Sequence, residues 1–520
     1  MLVRALIIAQ LFVIGYTLLY NTVNFLLMVI AFWRIRFLLR ERSVLDPEFA
    51  YASPYTPPVS LIVPAYNEEQ TIVESVRALL RLRYPRLEII VVNDGSTDRT
   101  REVLQEAFAL MRRDLPHYAP LKTAPIKGLY EAGGQKPAHV QRLVLVDKEK
   151  GGKADALNAG INVALTPYVC TVDADSLIDE NALIQLVAAL QKAPEKIIAI
   201  GGQVSIANGR LMEPGRVRST ELPKRALVLF QFIEYLRSFT MGRTALAALR
   251  ALLILSGVFA LYRRDVLIRV GGFLSENMRT RLGREYAREA RQTVTEDLEI
   301  ILRLLRYVYD KGLEGYVEFL PYPIAWTEVP ETLADLRKQR KRWYRGLVEN
   351  LLIIYRDMLF NRRYGRTGLL AMPHQVLFEI FGPVIELGGY LILLICLPLG
   401  LLSVEYAVLF FLSAILYGIF VSISAILLGI WSEAAYRSTG YHSLFTYSTK
   451  KTLKLLLFTI LSHLGYRQLI IAWQVGTLMD MVLGRAPAWE KIHRRGFSPA
   501  ASERPFREQE VATPDSLMKS

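Results

Sequence analysis

Apolar residues along the chain fall into two kinds of run. From Leu6 to Trp33 the sequence is apolar almost without interruption and carries no acidic residue, longer than the roughly 20 residues that cross a bilayer as a helix. From residue 59 the runs become short and alternate with amphipathic segments. Val59–Val63 predicts a strand, Glu68–Leu82 a helix, and Leu87–Val92 a second buried strand that closes on Asn93, Asp94, Gly95 and Ser96. After residues 101–141, which begin as a helix and become an irregular basic insertion, the alternation resumes. It reads as a strand over Arg142–Val146, a helix over Ala154–Ala164, a strand over Tyr168–Val172, a helix over Asp179–Gln191 and a strand over Ile197–Val204. Glu296–Tyr309 and Leu333–Tyr355 carry helical spacing. Repeated βαβ alternation predicts an α/β domain with a parallel sheet covered by helices on both faces.

From about Leu369 the long apolar runs return. Ile385–Leu402 and Ala407–Trp431 read as membrane spans, and Leu369–Gly382, interrupted by Pro373, as an interfacial segment. Thr452–Leu483 holds His463, Tyr466 and Arg467 at its middle, which suits a re-entrant or interfacial pair of helices better than one straight span. The expected organisation is a transmembrane helix over 1–40, a soluble domain over 54–360 entered through the stiff PYTPP linker, membrane and interfacial helices over 366–484, and a cytosolic tail over 485–520, disordered from Ser498 to Ser520.

Composition agrees with this mixture. Hydrophobic residues make up 52% and charged residues 22% of the 520, and the mean hydropathy is +0.24. That is too apolar for an ordinary soluble protein and too charged for a pure membrane bundle. Arg34, Arg36, Arg40 and Arg42 follow the first apolar run, so the positive-inside rule places the soluble domain in the cytosol and the N-terminus outside. The first run is too long for a cleaved signal peptide and no small-residue cleavage site follows it. The formal charge of +14 (63 basic minus 49 acidic residues) meets anionic lipid rather than nucleic acid, because no zinc ligands or RNA-binding aromatics accompany it. Cys170 and Cys396 each lie in an apolar run, giving neither a disulfide framework nor a zinc site.

Polar clusters stand where the predicted strands end, which is where open α/β sheets form their sites. Tyr66 and Glu68 follow the first strand, Asp94 the second, Gly151-Gly152-Lys153 the next, and Asp173 and Asp175 the one after. In an extended strand residues i and i+2 share a face, so Asp173 and Asp175 can address one hard cation, Mg²⁺ or Mn²⁺. Such a metal neutralises a nucleoside diphosphate leaving group, and Lys153 can add a point charge near the phosphates. Taken singly, NDGS is a turn and GGK a flexible loop; their joint placement favours a nucleotide site. Tyr66, beside Asp94, can stack on a base or simply pack. Thr295-Glu296-Asp297 opens a helix. Acidic residues there suit a plain N-terminal turn, while Asp297 is also the available general base. Gln339, Arg342 and Trp343 sit in a basic helix that suits either an interfacial anchor or a sugar platform with a cation near diphosphate.

The ordered set VPAYNEE, NDGSTD, GGKADALNAG, DAD, SGVFALYRR, TED and QRKRW resembles the membrane-bound processive enzymes of glycosyltransferase family 2, which include cellulose, hyaluronan and poly-N-acetylglucosamine synthases. The resemblance covers roughly residues 57–360. It implies a GT-A, Rossmann-like domain set between membrane helices in the inner membrane, a cytosolic UDP-sugar donor, and inverting transfer to a growing β-linked polysaccharide. Carried over to matching positions, it implies uridine contacts from Tyr66, Glu68 and Asp94, UDP contacts from Lys153 and Asp173, metal at Asp175, and Asp297 as base. Gln339, Arg342 and Trp343 would wall the diphosphate and acceptor. Ser256–Tyr262 matches the acceptor loop but lacks the cysteine found there in several polymer synthases, and the insertion over 111–141 replaces a shorter connection. The alternative use of such a site is transfer of one or a few sugars to a lipid or other membrane acceptor. A non-catalytic scaffold would be expected to lose Asp175 or Asp297, and a transporter to show more spans and internal symmetry. An accessory subunit or homo-oligomer stays open on sequence alone.

Overall fold

The computed structural model describes residues 2–42, 47–114, 119–134, 136–209, 212–213, 216–217, 221–277, 293–396, 398–400, 404–438 and 447–485. The tail from Ser498 and the basic residues Lys491, Arg494 and Arg495 lie outside them. Twelve strands form among the described residues: β1 (Val59–Ala65), β2 (Leu87–Asp94), β3 (Leu110–Arg112), β4 (Ile126–Ala132), β5 (Val140–Lys148), β6 (Tyr168–Val172), β7 (Leu177–Ile178), β8 (Ile197–Ile206), β9 (Met212–Glu213), β10 (Arg216–Val217), β11 (Phe259–Arg263) and β12 (Tyr316–Thr327). Ten join one sheet in the order β3-β4-β5-β2-β1-β6-β11-β8-β12-β7, and β9 and β10 pair separately.

The middle of the sheet, β5-β2-β1-β6, is parallel, and so is the β8–β12 pair. Every residue of β2 and of β8 is buried, as expected for strands covered on both faces. The Lys153–Val163 helix lies so close that a Cβ at Gly160 would stand 2.3 Å from Ile62 Cγ2.

The all-parallel expectation is corrected in three places, the first being the edge, where β7 runs antiparallel to β12. β11 runs antiparallel between β6 and β8. A parallel neighbour needs a crossover back to the starting end. After β8 the chain instead leaves for the Ala226–Leu236 and Thr244–Ala248 helices and re-enters at the carboxyl edge, with Phe259 opposite Val172. The insertion is also less irregular than it reads, since β3 and β4 extend the sheet antiparallel beyond β5.

Among the described residues, four helical stretches are long and apolar enough to cross a membrane: Leu6–Glu41, Thr367–Cys396, Val404–Arg437 and Thr449–Val482. The second takes in the segment read as interfacial and starts well before Ile385. Pro373 does not end it, because the proline falls at the opening of a short α-helical piece flanked by wide π-helical turns over Thr367–Ala371 and Gln375–Ile380. The fourth is broken at Leu464 and Gly465, the latter at φ +107°, giving two helices, Thr449–Leu461 and Arg467–Val482. Arg34, near the end of the first helix, pairs with Glu318 of β12 at 2.7 Å, fixing the sheet to the membrane region.

The Glu296–Asp310 helix is held through a fully buried ion pair, Glu299 to Arg303 at 2.7 Å, with the Tyr355 hydroxyl donating to Glu299 at 2.6 Å. Removing one partner of a buried pair costs about 3–5 kcal/mol, because the other charge is left uncompensated. Glu299→Ala should therefore lower the thermal unfolding midpoint clearly in detergent; an unchanged midpoint would contradict this account of the helix.

Candidate functional site

The carboxyl ends of β1, β2, β5 and β6 converge, and cross-strand register decides what meets there. Asp94, last residue of β2, stands opposite Lys148, last residue of β5. The Asp94 carboxylate accepts from Lys148 Nζ at 2.6 Å and from the backbone amides of Gly151 at 2.9 Å and Gly152 at 2.7 Å. Lys148 Nζ also lies 2.7 Å from Asp155, and both side chains are fully buried. Asp94 thus fixes the loop that leads into Lys153. That loop needs glycine: Gly152 has φ +88°, and a Cβ at Gly95 would stand 2.6 Å from Lys150 N.

Lys153 opens the following helix and joins two motifs far apart in sequence. Its Nζ lies 2.7 Å from Asp173 and 2.9 Å from Glu296. Burial disfavours the ammonium, but Asp173 and Glu296 outweigh it and hold the Lys153 pKa raised. The Asp173 amide donates to Val258 O at 3.3 Å, and Ser176 closes the turn by donating to Asp173 O at 3.1 Å. Asp175 is half-buried on that turn.

Asp297, next to Glu296, has its carboxyl pKa pushed up to about 6, first by burial and then by the neighbouring Glu296 charge, against the lowering influence of Lys153 and Arg243. The Glu296 pKa is lowered: burial raises it, but Lys153, its own backbone amide and Arg342 prevail. A Cβ at Gly257 would lie 3.3 Å from Lys153 Nζ and 3.8 Å from Asp297 Oδ2. Ser256–Val258 therefore crosses the mouth of the site, while the rest of the expected acceptor loop is strand β11.

The Leu333–Val348 helix is bolted to this cluster. A Cβ at Gly346 would meet Thr295 Oγ1 at 2.3 Å, and Asn350 Nδ2 donates to Thr293 at 3.1 Å, Thr295 at 3.0 Å and Gly346 O at 2.8 Å. On this helix Gln339 is buried with Oε1 unpartnered. Arg342 is exposed. Trp343 is half-buried, with the Arg340 guanidinium 4.9 Å from its ring centre.

Two expected site residues stand apart from the Lys153 cluster. Tyr66 is exposed, with Lys150 Nζ 4.0 Å from its ring centre and 2.9 Å from its hydroxyl. Glu68 accepts from Thr71 at 2.8 Å at the start of the next helix. The sequence reading missed Lys148, Lys150, Glu296 and Arg243. A lysine ending an otherwise apolar strand marks Lys148, and adjacency to Asp297 marks Glu296; Arg243 has no local signal.

Among the described residues no group of three or more His, Cys, Asp or Glu side chains could hold a metal alone. The carboxylates of Asp173 and Asp175 are donors of the kind a hard cation takes alongside water and phosphate ligands.

A mixed α/β sheet with DxD at its carboxyl edge, followed by TED and QxxRW helices and flanked by apolar helices, is the GT-A arrangement beside candidate membrane spans. Residues 168–473 match the family model described as glycosyl transferase family group 2, more than half of the chain, and residues 60–122 match glycosyl transferase family 2; the chain belongs to this family. It is 29% identical over 294 residues to a poly-beta-1,6-N-acetyl-D-glucosamine synthase of Staphylococcus epidermidis, covering 56% of this chain and 55% of that protein. It is 27% identical over 324 residues to the synthase of the same name from Staphylococcus aureus strain COL, covering 62% and 61%. The chain thus spans somewhat over half the length of the curated relatives it matches. Among solved structures, a Pyrobaculum calidifontis mannosyltransferase, PcManGT, aligns over 91% of this chain and 100% of that chain, at 19% identity and TM-score 0.44.

Lys148→Met should cost about 3–5 kcal/mol by leaving Asp94 and Asp155 buried without their shared cation. Limited proteolysis should then cut the 149–153 loop faster than in the parent chain; equal cutting rates would sink the anchoring role.

Proposed function

We propose that the chain transfers a sugar, with inversion, from a UDP-sugar to a growing β-linked polysaccharide at the cytosolic face of an inner membrane. The likeness to poly-beta-1,6-N-acetyl-D-glucosamine synthases favours N-acetylglucosamine as the transferred sugar. The observation that carries the polymer reading is a cavity of about 380 Å³, a volume suited to small ligands, whose lining includes Arg243, a group whose charge acts on Asp297. Arg243 and Arg340 line it on the catalytic side, and Tyr16, Tyr20, His463 and Arg467 line it among the apolar helices. Product leaving the catalytic groups has a polar space to enter.

In this reading Lys153 and Arg342 set positive charge along the diphosphate, and Trp343 offers a flat face to the acceptor sugar. Asp175 with Asp173 would hold a divalent cation, which would supply charge neutralisation for the UDP leaving group. Asp297 takes the proton from the acceptor hydroxyl. The freed oxygen forms its bond to the anomeric carbon as the bond from that carbon to the UDP oxygen breaks on the opposite face. The proton rests on the Asp297 carboxylate, and UDP leaves with the bonding pair. The arginines at 34, 36 and 40 support the cytosolic placement of these groups.

The test is the full chain in lipid vesicles with a panel of UDP-sugars, assayed for UDP release with and without chelator, and the product sized. Long polymer and loss of turnover on chelation are expected; no UDP release from any donor would overturn the reading, and a fixed short product would overturn its polymer part. Asp297→Asn should lower kcat about 10²–10⁴-fold, the range for a general base.

The pH dependence has a definite sign. The base works as carboxylate, so kcat/KM holds above a pH of about 6 and falls about tenfold per unit below it. Because the Glu296 charge raises the Asp297 pKa, Glu296→Gln should move that acid limb to lower pH; an upward move would contradict the assigned electrostatics.

A further inference from the structure

Arg243 ends a π-helical turn, Arg237–Arg243, a form of helix concentrated at functional sites. Its guanidinium stacks 4.1 Å from the Phe239 ring centre, and its Nη1 is buried with no hydrogen-bond partner. A buried charged donor without a partner is costly, and its presence points to an acceptor that arrives with a ligand. The space it faces is the 380 Å³ cavity, which it lines together with Glu234, Ile254 and Arg340. The charges of Arg243 and Asp297 act on each other. Arg243 therefore links the cavity lining to the proposed base electrostatically.

We propose that Arg243 is an acceptor-binding residue, whose Nη1 donates a hydrogen bond to an oxygen of the sugar that stands beside Asp297. This rests on the glycosyltransferase reading and adds to it the group that excludes water from the role of acceptor. A guanidinium suits this place because it stays charged while stacked on an aromatic face and holds its donors in a fixed fork. Its charge also favours the carboxylate form of Asp297. The other groups that act on Asp297 are Glu296 on its own helix, Lys153, and the Tyr262 phenol of β11; the Tyr235 phenol faces Arg243.

The test uses the full chain in lipid vesicles with UDP-N-acetylglucosamine, and measures how each UDP released divides between polymer and free N-acetylglucosamine. Loss of a charged hydrogen bond to the acceptor, in Arg243→Gln, should lower the polymer-to-free-sugar ratio about tenfold or more. The donor KM should stay within about twofold, since no donor contact is removed. The acid limb of kcat/KM should move to higher pH, because a cation near Asp297 has gone. Arg243→Lys, which keeps the charge, should keep the acid limb near its parent position with an intermediate ratio, and it carries the comparison should the Gln variant fail to fold. An unchanged ratio in a variant that turns over donor would overturn the inference and leave the transferase reading standing. A parent chain that releases no UDP from any sugar nucleotide would overturn both.

Discussion

The Lys153 ammonium, shared between Asp173 and Glu296, is the contact on which the arrangement of the site depends. Asp173 follows β6, Glu296 opens a helix more than a hundred residues later, and Lys153 begins the helix between β5 and β6. One cation therefore ties the DAD turn to the TED helix that carries Asp297, whose acidity is set first by burial and then by Glu296. About a third of the Lys153 side chain remains exposed, so the same charge can also meet an arriving phosphate. Redistribution of one ammonium between fixed carboxylates and an incoming anion is a direct way to couple donor binding to the state of the base.

That spacing is maintained from both sides. Beneath it, buried Lys148 serves Asp94 and Asp155 at once, so the strand edge cannot relax without exposing a carboxylate. Above it, the Leu333–Val348 helix meets Thr295 at Gly346 and makes ion pairs outward, Arg340 to Glu234 at 2.6 Å and Lys341 to Asp480 at 2.9 Å. Asp480 belongs to the last candidate span. The helix carrying Gln339, Arg342 and Trp343 is consequently braced against the membrane region on one face and against the proposed base on the other. Arg340 and Trp343 share a face of this helix, so the outward ion pair and the aromatic ring are held together.

Legibility in the sequence followed range. The DAD turn, the TED helix start and the QxxRW helix are local patterns, and each stands on the element its spacing predicts. Continuous apolar runs identified β1, β2, β6 and β8 because strands buried on both faces need no alternation. The direction of β11 was not legible, since a five-residue strand carries no record of which end of the sheet the chain re-enters. Lys148 and Arg243 were missed for a related reason: Lys148 acquires its meaning from Asp94 across 54 positions of sequence, and Arg243 from Asp297 through tertiary packing. Pro373 misled because proline predicts a helix break, and the adjoining π-helical turns absorb it here.

The cavity among the apolar helices obeys a stricter rule than the catalytic cluster. Charges at membrane depth are tolerated when they are paired or face water-filled space. Arg467 meets Glu386 through two bonds, at 2.7 and 2.6 Å, and Glu234 accepts from both Arg340 and Tyr466. Each of these groups lines the cavity. The lining mixes these groups with apolar side chains such as Leu253, Ile254 and Phe378. A carbohydrate must exchange its hydrogen bonds with water for others along the whole route, and paired side chains can each lend a donor or acceptor while keeping their charges compensated. The proposed polymer path therefore accounts both for the apolar runs that mark candidate spans and for the paired polar residues that interrupt them.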